Sequence, residues 1–265
     1  MLRGRTAIFP DVSSDDNVQV YVASANTNPV TELCVRSMHR YSDYPFRLIV
    51  GDNGSRDGSI EMLRELERKG WLSLDVASAW RQHGDLLDHW IHSCEYRYAV
   101  FVDSDVNFRG PWLRALVETA QSEGAALVCA EMFDAMHGFV QAGTGRIMEV
   151  PPRPSAHLMM FDTKLVAGLS SSFLPQISEM DGVITSLDVA GAVLRELTAR
   201  GLAWREMPSE YQSTFVHLGG MSYLSRKLWP DLWPGWNIVK ALTRVRLSLR
   251  WYRARWKKPS SHTVG

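Results

Sequence analysis

The sequence predicts an α/β protein with a mostly parallel central sheet covered by helices on both faces. Two observations carry this. Strand-length apolar runs alternate with helix-period segments, β-α-β-α-β-α-β-α-β, between residues 18 and 130, the pattern of parallel strands joined by crossover helices. Three polar clusters, Ser24-Ala25-Asn26, Gly51-Asp52-Asn53-Gly54-Ser55 and Asp103-Ser104-Asp105, fall at the carboxyl ends of strands, where such sheets bind ligands.

The elements follow in order. Residues 11–17 are polar, and residues 1–17 read as a lead-in. Val18–Ala23 reads as a strand, and Thr31–Arg40 as a helix with Thr31 placed to cap it just after Pro29. Arg47–Val50 is a strand, and Ser59–Lys69 a helix ended by Gly70. Leu72–Val76 is a strand, Leu86–Cys94 a helix and Tyr98–Val102 a strand. Pro111 opens a helix through Glu118, Gly124 stops it, and Ala126–Ala130 is a strand. Gly138–Pro154 is rich in Gly and Pro and reads as a long loop. His157–Asp162 is a further strand, Val189–Arg200 a helix ended by Gly201, and Phe215–Leu218 strand-like. The main domain is expected to span residues 18–225, with a separate tail over 226–265.

The chain of 265 residues is 45% hydrophobic, enough for one sizeable core. Its 29 basic and 29 acidic residues balance, so overall charge points to no nucleic-acid partner. The balance is uneven along the chain. From Trp236 to Gly265 there are eight basic residues and no acidic one, which leaves 21 basic against 29 acidic before Trp236. Cys34, Cys94 and Cys129 are scattered without CxxC spacing and read as reduced structural thiols. No apolar run reaches transmembrane length, and the N-terminus has no apolar stretch long enough for a signal peptide. A cytoplasmic protein is expected, stationed at the inner face of the cell membrane if the tail binds lipid.

Val100-Phe101-Val102-Asp103-Ser104-Asp105 is the most informative stretch. Strand alternation puts Asp103 and Asp105 on one side, and two carboxylates at a strand's end make a hard oxygen site for Mg²⁺ or Mn²⁺. Such an ion takes its remaining ligands from water and phosphate, which suggests a phosphate-bearing substrate. The same aspartates could equally cap the next helix. Gly51–Ser59 follows a strand and opens a helix, which suits either a nucleotide grip or a βα turn capped by Ser59. It is neither GxGxxG nor GxxxxGK[ST]. His83-Gly84 before a helix could receive phosphate, or His83 could be a surface residue at a capped helix. Asp188 starts a helix, where the dipole favours an acid; it could also act as general base, with Asp181 as the competitor. His217, on a strand before Gly219-Gly220, could complete a metal site or serve structure alone.

Taken in order, these parts resemble the family 2 glycosyltransferases of the GT-A fold. The match runs through Val20–Ser24 with Asn26, Asp52-Asn53-Gly54-Ser55-x-Asp57-Gly58-Ser59, His83-Gly84 with Leu87-Asp88, Asp103-Ser104-Asp105, Asp188-Val189-Ala190-Gly191 and His217-x-Gly219-Gly220. It covers roughly residues 18–222. The resemblance implies a Rossmann-like nucleotide-binding half and an acceptor-binding half. It implies that Ser24, Asn26, Asp52, Asn53, Ser55, Asp57, His83, Gly84, Asp103 and Ser104 hold a nucleotide-sugar, linked to UDP, dTDP or GDP. Asp103, Asp105 and His217 would hold Mn²⁺ or Mg²⁺, and Asp188 would be the catalytic base. Inverting transfer of a sugar to a hydroxyl acceptor follows, with cell-envelope glycan or glycolipid synthesis as the setting that suits the tail. Two departures stand out: Ala23-Ser24-Ala25-Asn26 replaces the family's Pro-x-Tyr-Asn form, and Leu187 replaces the acid expected before Asp188.

Two other readings compete. A non-catalytic sugar-nucleotide-binding protein could keep the fold. A haloacid-type phosphatase also begins with strand-DxD, but there the motif lies near the chain start, and a Thr or Val would stand where Asn107 stands here. In the tail, five tryptophans (229, 233, 236, 251 and 256) lie among basic residues over 226–258, with apolar residues near helical spacing. This suits an amphipathic helix in peripheral contact with an anionic membrane, or a helix docked on the acidic body.

Overall fold

The computed structural model describes residues 18–77, 80–140, 147–180, 183–187 and 189–218. The first half alternates as the sequence predicts: β1 (Val18–Ser24), α1 (Val30–Tyr41), β2 (Arg47–Asp52), α2 (Ser59–Arg68), β3 (Ser73–Val76), α3 (His83–Ser93), β4 (Tyr98–Asp103), β5 (Val106–Phe108), α4 (Leu113–Glu123) and β6 (Leu127–Cys129). There follow β7 (Met132–Phe133), β8 (Met136–Val140), β9 (Ile147–Val150), β10 (Arg153–Pro154), β11 (Leu158–Asp162) and α5 (Thr163–Val166). Then come β12 (Gln176–Met180), β13 (Val183–Leu187), α6 (Gly191–Ala199), β14 (Trp204–Glu206), a 3₁₀ turn (Ser209–Thr214) and β15 (Phe215–His217).

Seven strands form the central sheet in the order β14-β6-β11-β4-β1-β2-β3. β3, β2, β1 and β4 run parallel, whereas β11 is antiparallel to both of its neighbours, β4 and β6. Strand alternation sends residues to two cores. Val18, Val20 and Val22 of β1, with Val100 and Val102 of β4, face Cys34, Val35 and Met38 of α1 and the apolar side of α4. Tyr21, Phe101, Met159 and Phe161 face Leu86, Leu87 and Trp90 of α3 and Val193, Leu194 and Leu197 of α6.

The structure departs from the sequence reading in particular places. The 138–154 stretch, read as a loop, carries the end of β8 and all of β9 and β10, and β12-β13-β9-β8 form a separate four-stranded sheet. Its strands gain their order from partners far along the chain, such as Ile184 opposite Met148, and that pairing outweighs weak local propensity. Thr31 is not the cap of α1; Pro29 holds that position and Thr31 lies inside the first turn. Ser59 is likewise the first helical residue of α2, after Gly58 at a left-handed φ of 86°, and its amide donates to Asp57 Oδ1. α3 starts three residues early, where the Asp85 carboxylate accepts from the Gln82 amide. α4 starts at Leu113, whose amide and that of Arg114 both donate to Asp43 Oδ1. The three cysteines are free thiols. Among the described residues no helix is long and apolar enough to cross a membrane.

Gly51 is the tightest point between sheet and helix. A Cβ there would lie 2.5 Å from the Trp90 ring, which is buried and stacked on Tyr21 at 5.2 Å. Both rings are almost wholly buried. Gly51→Ala is therefore expected to destabilise the protein by about 1–3 kcal/mol, the usual cost of overpacking, read as a lower urea midpoint with an unchanged slope.

Candidate active site

Strand register brings the polar clusters together. Ser24 ends β1 opposite Asp52 of β2, and on the other side Ala23 lies opposite Asp103 of β4. The centre of the sheet thus presents the β1 turn with Asp52-Asn53 on one flank and Asp103-Ser104-Asp105 on the other.

The Asp103-Ser104-Asp105 turn leads into β5, and β5 pairs antiparallel with β15, so that His217 lies opposite Val106. The Leu218 amide donates to the Asp105 carbonyl at 3.0 Å and closes this ribbon. As a result His217 Nε2 sits 3.1 Å from Asp105 Oδ1 and 3.5 Å from Asp103 Oδ2. One ligand atom from each of the three side chains lies within 4.8 Å of the others. Ligands about 2.1 Å from one ion at right angles are roughly 3 Å apart, so the spacing fits a shared divalent cation. The two oxygens are hard donors and the imidazole is borderline, a set that Mn²⁺ accepts readily.

The electrostatics point the same way. Burial raises the Asp103 carboxyl above its ordinary range; His83 opposes that shift, Asp105 adds to it and His217 opposes it. His83 Nε2 is 3.9 Å from Asp103 Oδ1. A bound cation would relieve the repulsion between the two carboxylates. The His157 ring stacks on His217 at 4.5 Å and 19°. Burial, then repulsion from His217, push its pKa down to about 3 against the pull of Asp105, so it stays a neutral imidazole. Its carbonyl accepts from the Asp103 amide at 3.0 Å.

On the β2 flank, Asp52 is fully buried. Its Oδ2 accepts from the Ser55 amide at 3.0 Å, while Oδ1 meets no donor among the described residues. Asn53 donates its amide to the Ser24 carbonyl at 2.8 Å. Its side chain makes a reciprocal pair with the Arg81 backbone, Nδ2 to the carbonyl at 2.7 Å and Oδ1 from the amide at 2.8 Å. Asn26, at a left-handed φ of 53°, donates to Ser55 Oγ and accepts from the Arg56 amide. Asp57 Oδ2 accepts from the Asn28 amide and so ties the two turns together, while its Oδ1 accepts from the Ser59 amide within its own turn. Ser24 and Ser104 point their hydroxyls into a buried cluster with Thr27. Gly84 lets the start of α3 meet residues 173 and 174, where a Cβ would lie 2.7 Å from the Leu174 nitrogen, and Asp88 accepts from the Phe173 amide.

Asp181, Asp188, Gly219, Gly220 and the tail over 226–265 lie outside the described residues. Three contributors escaped the sequence reading: His157, Thr27 and the Arg81 backbone. His157 carried no local signal, because only the antiparallel insertion of β11 beside β4 brings it to His217.

Residues 19–177 match the sequence profile described as Glycosyl transferase family 2. The chain belongs to that family. Its mixed α/β architecture, with a large and mostly parallel central sheet, accords with that membership. None of the curated protein sequences matches it. Its solved likenesses include the mannosyltransferase PcManGT from Pyrobaculum calidifontis in complex with GDP-Man and Mn²⁺, at 16% identity over 91% of this chain and 78% of that one, TM-score 0.45. Glucosyl-3-phosphoglycerate synthase from Mycobacterium tuberculosis, in complex with Mn²⁺, UDP and glucosyl-3-phosphoglycerate, is 16% identical over 86% of this chain and 80% of that one, TM-score 0.48. S. aureus TarS 1–349 is 15% identical over 57% of this chain, TM-score 0.43, and the glycosyltransferase spans only 48% of that TarS chain.

Removing the imidazole tests the shared-ion geometry. His217→Ala is expected to weaken Mn²⁺ binding at least about tenfold, the loss that even outer partners of ligands cause. Electron paramagnetic resonance of free Mn²⁺ measures this without any sugar donor.

Proposed function

We propose that the protein moves a sugar from a nucleotide-sugar donor to a hydroxyl acceptor with inversion at the anomeric carbon, in a divalent-metal-dependent reaction. The observation that carries the proposal is the convergence of Asp103, Asp105 and His217 beside the Asp52-Asn53 end of the same sheet. A buried carboxylate oxygen with no donor among the described residues, Asp52 Oδ1, suits the ring N–H of uracil, thymine or guanine, which favours UDP, dTDP or GDP donors. The solved likenesses hold UDP and GDP-linked ligands with Mn²⁺, which is consistent with this choice of donor and ion.

Asp103, Asp105 and His217 would hold Mn²⁺, or Mg²⁺ less well because of the imidazole. When bound, the cation supplies neutralisation of charge on the departing diphosphate. His83 at the start of α3, beside Asp103, adds a donor at a helix N-terminus that favours phosphate oxygens. Asp188 takes the proton from the acceptor hydroxyl as that oxygen attacks the anomeric carbon; the bond to the diphosphate oxygen breaks on the opposite face, and its electron pair leaves with the nucleotide. A single displacement inverts the centre. The basic, Trp-bearing stretch 226–258 would dock the enzyme on the anionic inner face of the cell membrane, which brings it to lipid-linked or envelope acceptors.

Three outcomes are expected. A saturating donor, at about a hundred times its Kd, stabilises the wild type by about 2.7 kcal/mol, and this shift in melting temperature requires Mn²⁺ and vanishes in Asp103→Ala. Asp188→Asn lowers kcat by roughly 10²–10⁴-fold, while Asp181→Asn stays within a few fold; the reverse result would make Asp181 the base. Deleting residues 235–265 moves the enzyme from the membrane pellet to the soluble fraction, and an unchanged distribution would favour a tail docked on the body.

A further inference from the structure

Four buried hydroxyls form one cluster under the active-site turn. Thr27 Oγ1 is 2.7 Å from Thr31 Oγ1 and 3.2 Å from Ser24 Oγ. Ser24 Oγ is also 3.2 Å from Thr31 Oγ1. Ser104 Oγ donates to Thr27 Oγ1 at 3.3 Å. All four residues are no more than 5% exposed. Ser104 is the residue between Asp103 and Asp105, so the cluster grips the middle of the turn that offers both carboxylates. Thr27 is its hub, the one member within reach of the other three. The Thr27 backbone is fixed independently, since its carbonyl accepts from the Val30 and Thr31 amides at 2.7 and 2.9 Å.

From this we infer that Thr27 is a positioning residue for the Asp103–Asp105–His217 site, acting through the Ser104 hydroxyl. A dry hydroxyl group has few alternatives to its partners, and leaving it unmatched costs more than the bond itself gains. The Ser104 side chain is therefore held to one rotamer, and the flanking carboxylates keep the separation at which His217 meets both. Thr27 lies on the β1–α1 turn, which is also tied to the β2–α2 loop through Asn26 and Ser55. The hub thus sets the metal-binding turn relative to the Asp52-Asn53 flank. The inference rests on the metal-binding reading given above.

The test compares Mn²⁺ affinity, read by electron paramagnetic resonance without donor, across the wild type and four variants. Thr27→Val keeps shape and removes the hydroxyl; it is expected to weaken Mn²⁺ binding roughly tenfold, the scale of losses at partners of metal ligands. Thr27→Ser restores affinity to within about twofold of wild type. Ser104→Ala loses as much as Thr27→Val, and the double variant loses no more than either single one, which is the non-additivity of two groups acting as a unit. Full Mn²⁺ affinity in Thr27→Val or Ser104→Ala, or additive losses in the double variant, would overturn the positioning role while leaving the transferase reading intact. If Thr27→Val does not fold, Ser104→Ala decides alone, by a loss or by its absence. A wild type that binds no Mn²⁺ would overturn both.

Discussion

Two carboxylates on one turn, and two imidazoles brought to them from α3 and β15, repel and attract over a few ångströms, and the rest of the site is arranged around that balance. Asp103 cannot sit comfortably as an anion: burial and Asp105 both raise its pKa, and His83 and His217 only partly compensate. Such an arrangement is costly for a fold without a ligand. A divalent charge between the oxygens would offset that cost. His157 serves here because it is neutral; a second cation stacked on His217 would compete with the ion for the same carboxylates.

The sheet makes this local balance possible. β1 lies between β2 and β4 in parallel register, so one strand end faces both flanks. Each flank is then fastened to β1 by different chemistry. Asn53 is held through the Ser24 carbonyl, and Ser104 through the Thr27 hydroxyl. Gly51 lets Trp90 press against the sheet immediately behind Asp52, so the carboxyl end of β2 rests on packed rings. The β5–β15 ribbon completes the site by returning His217 from the far end of the domain.

The first half of the chain was legible because its signals are local. The apolar runs of β1, β2 and β4, the Gly-bearing turn after Asp52, and the Asp103-Ser104-Asp105 step each declare themselves within a few residues. Helix starts were less legible, since α1 and α2 are capped by backbone geometry and by neighbours such as Asp57 where a side-chain cap was expected. The second sheet was missed because β9 owes its order to β13 and β8, and neither pairing leaves a mark on the residues 138–154 alone. The same reason hid His157: its role comes from β11 lying antiparallel between β4 and β6. His217 was legible only as part of an ordered set of motifs, and its 3.1 Å approach to Asp105 rests on a pairing three residues long.

That short ribbon has a mechanical consequence. The Leu218 amide is bonded to the carbonyl of Asp105, so the strand that carries His217 is fastened at its end to a candidate ligand of the metal. A pull along β15 would load the β5–β15 pairing, and the distance between His217 and the two aspartates would lengthen with it. Strain on β15 and the spacing of the three candidate ligands are thereby coupled in one mechanical path.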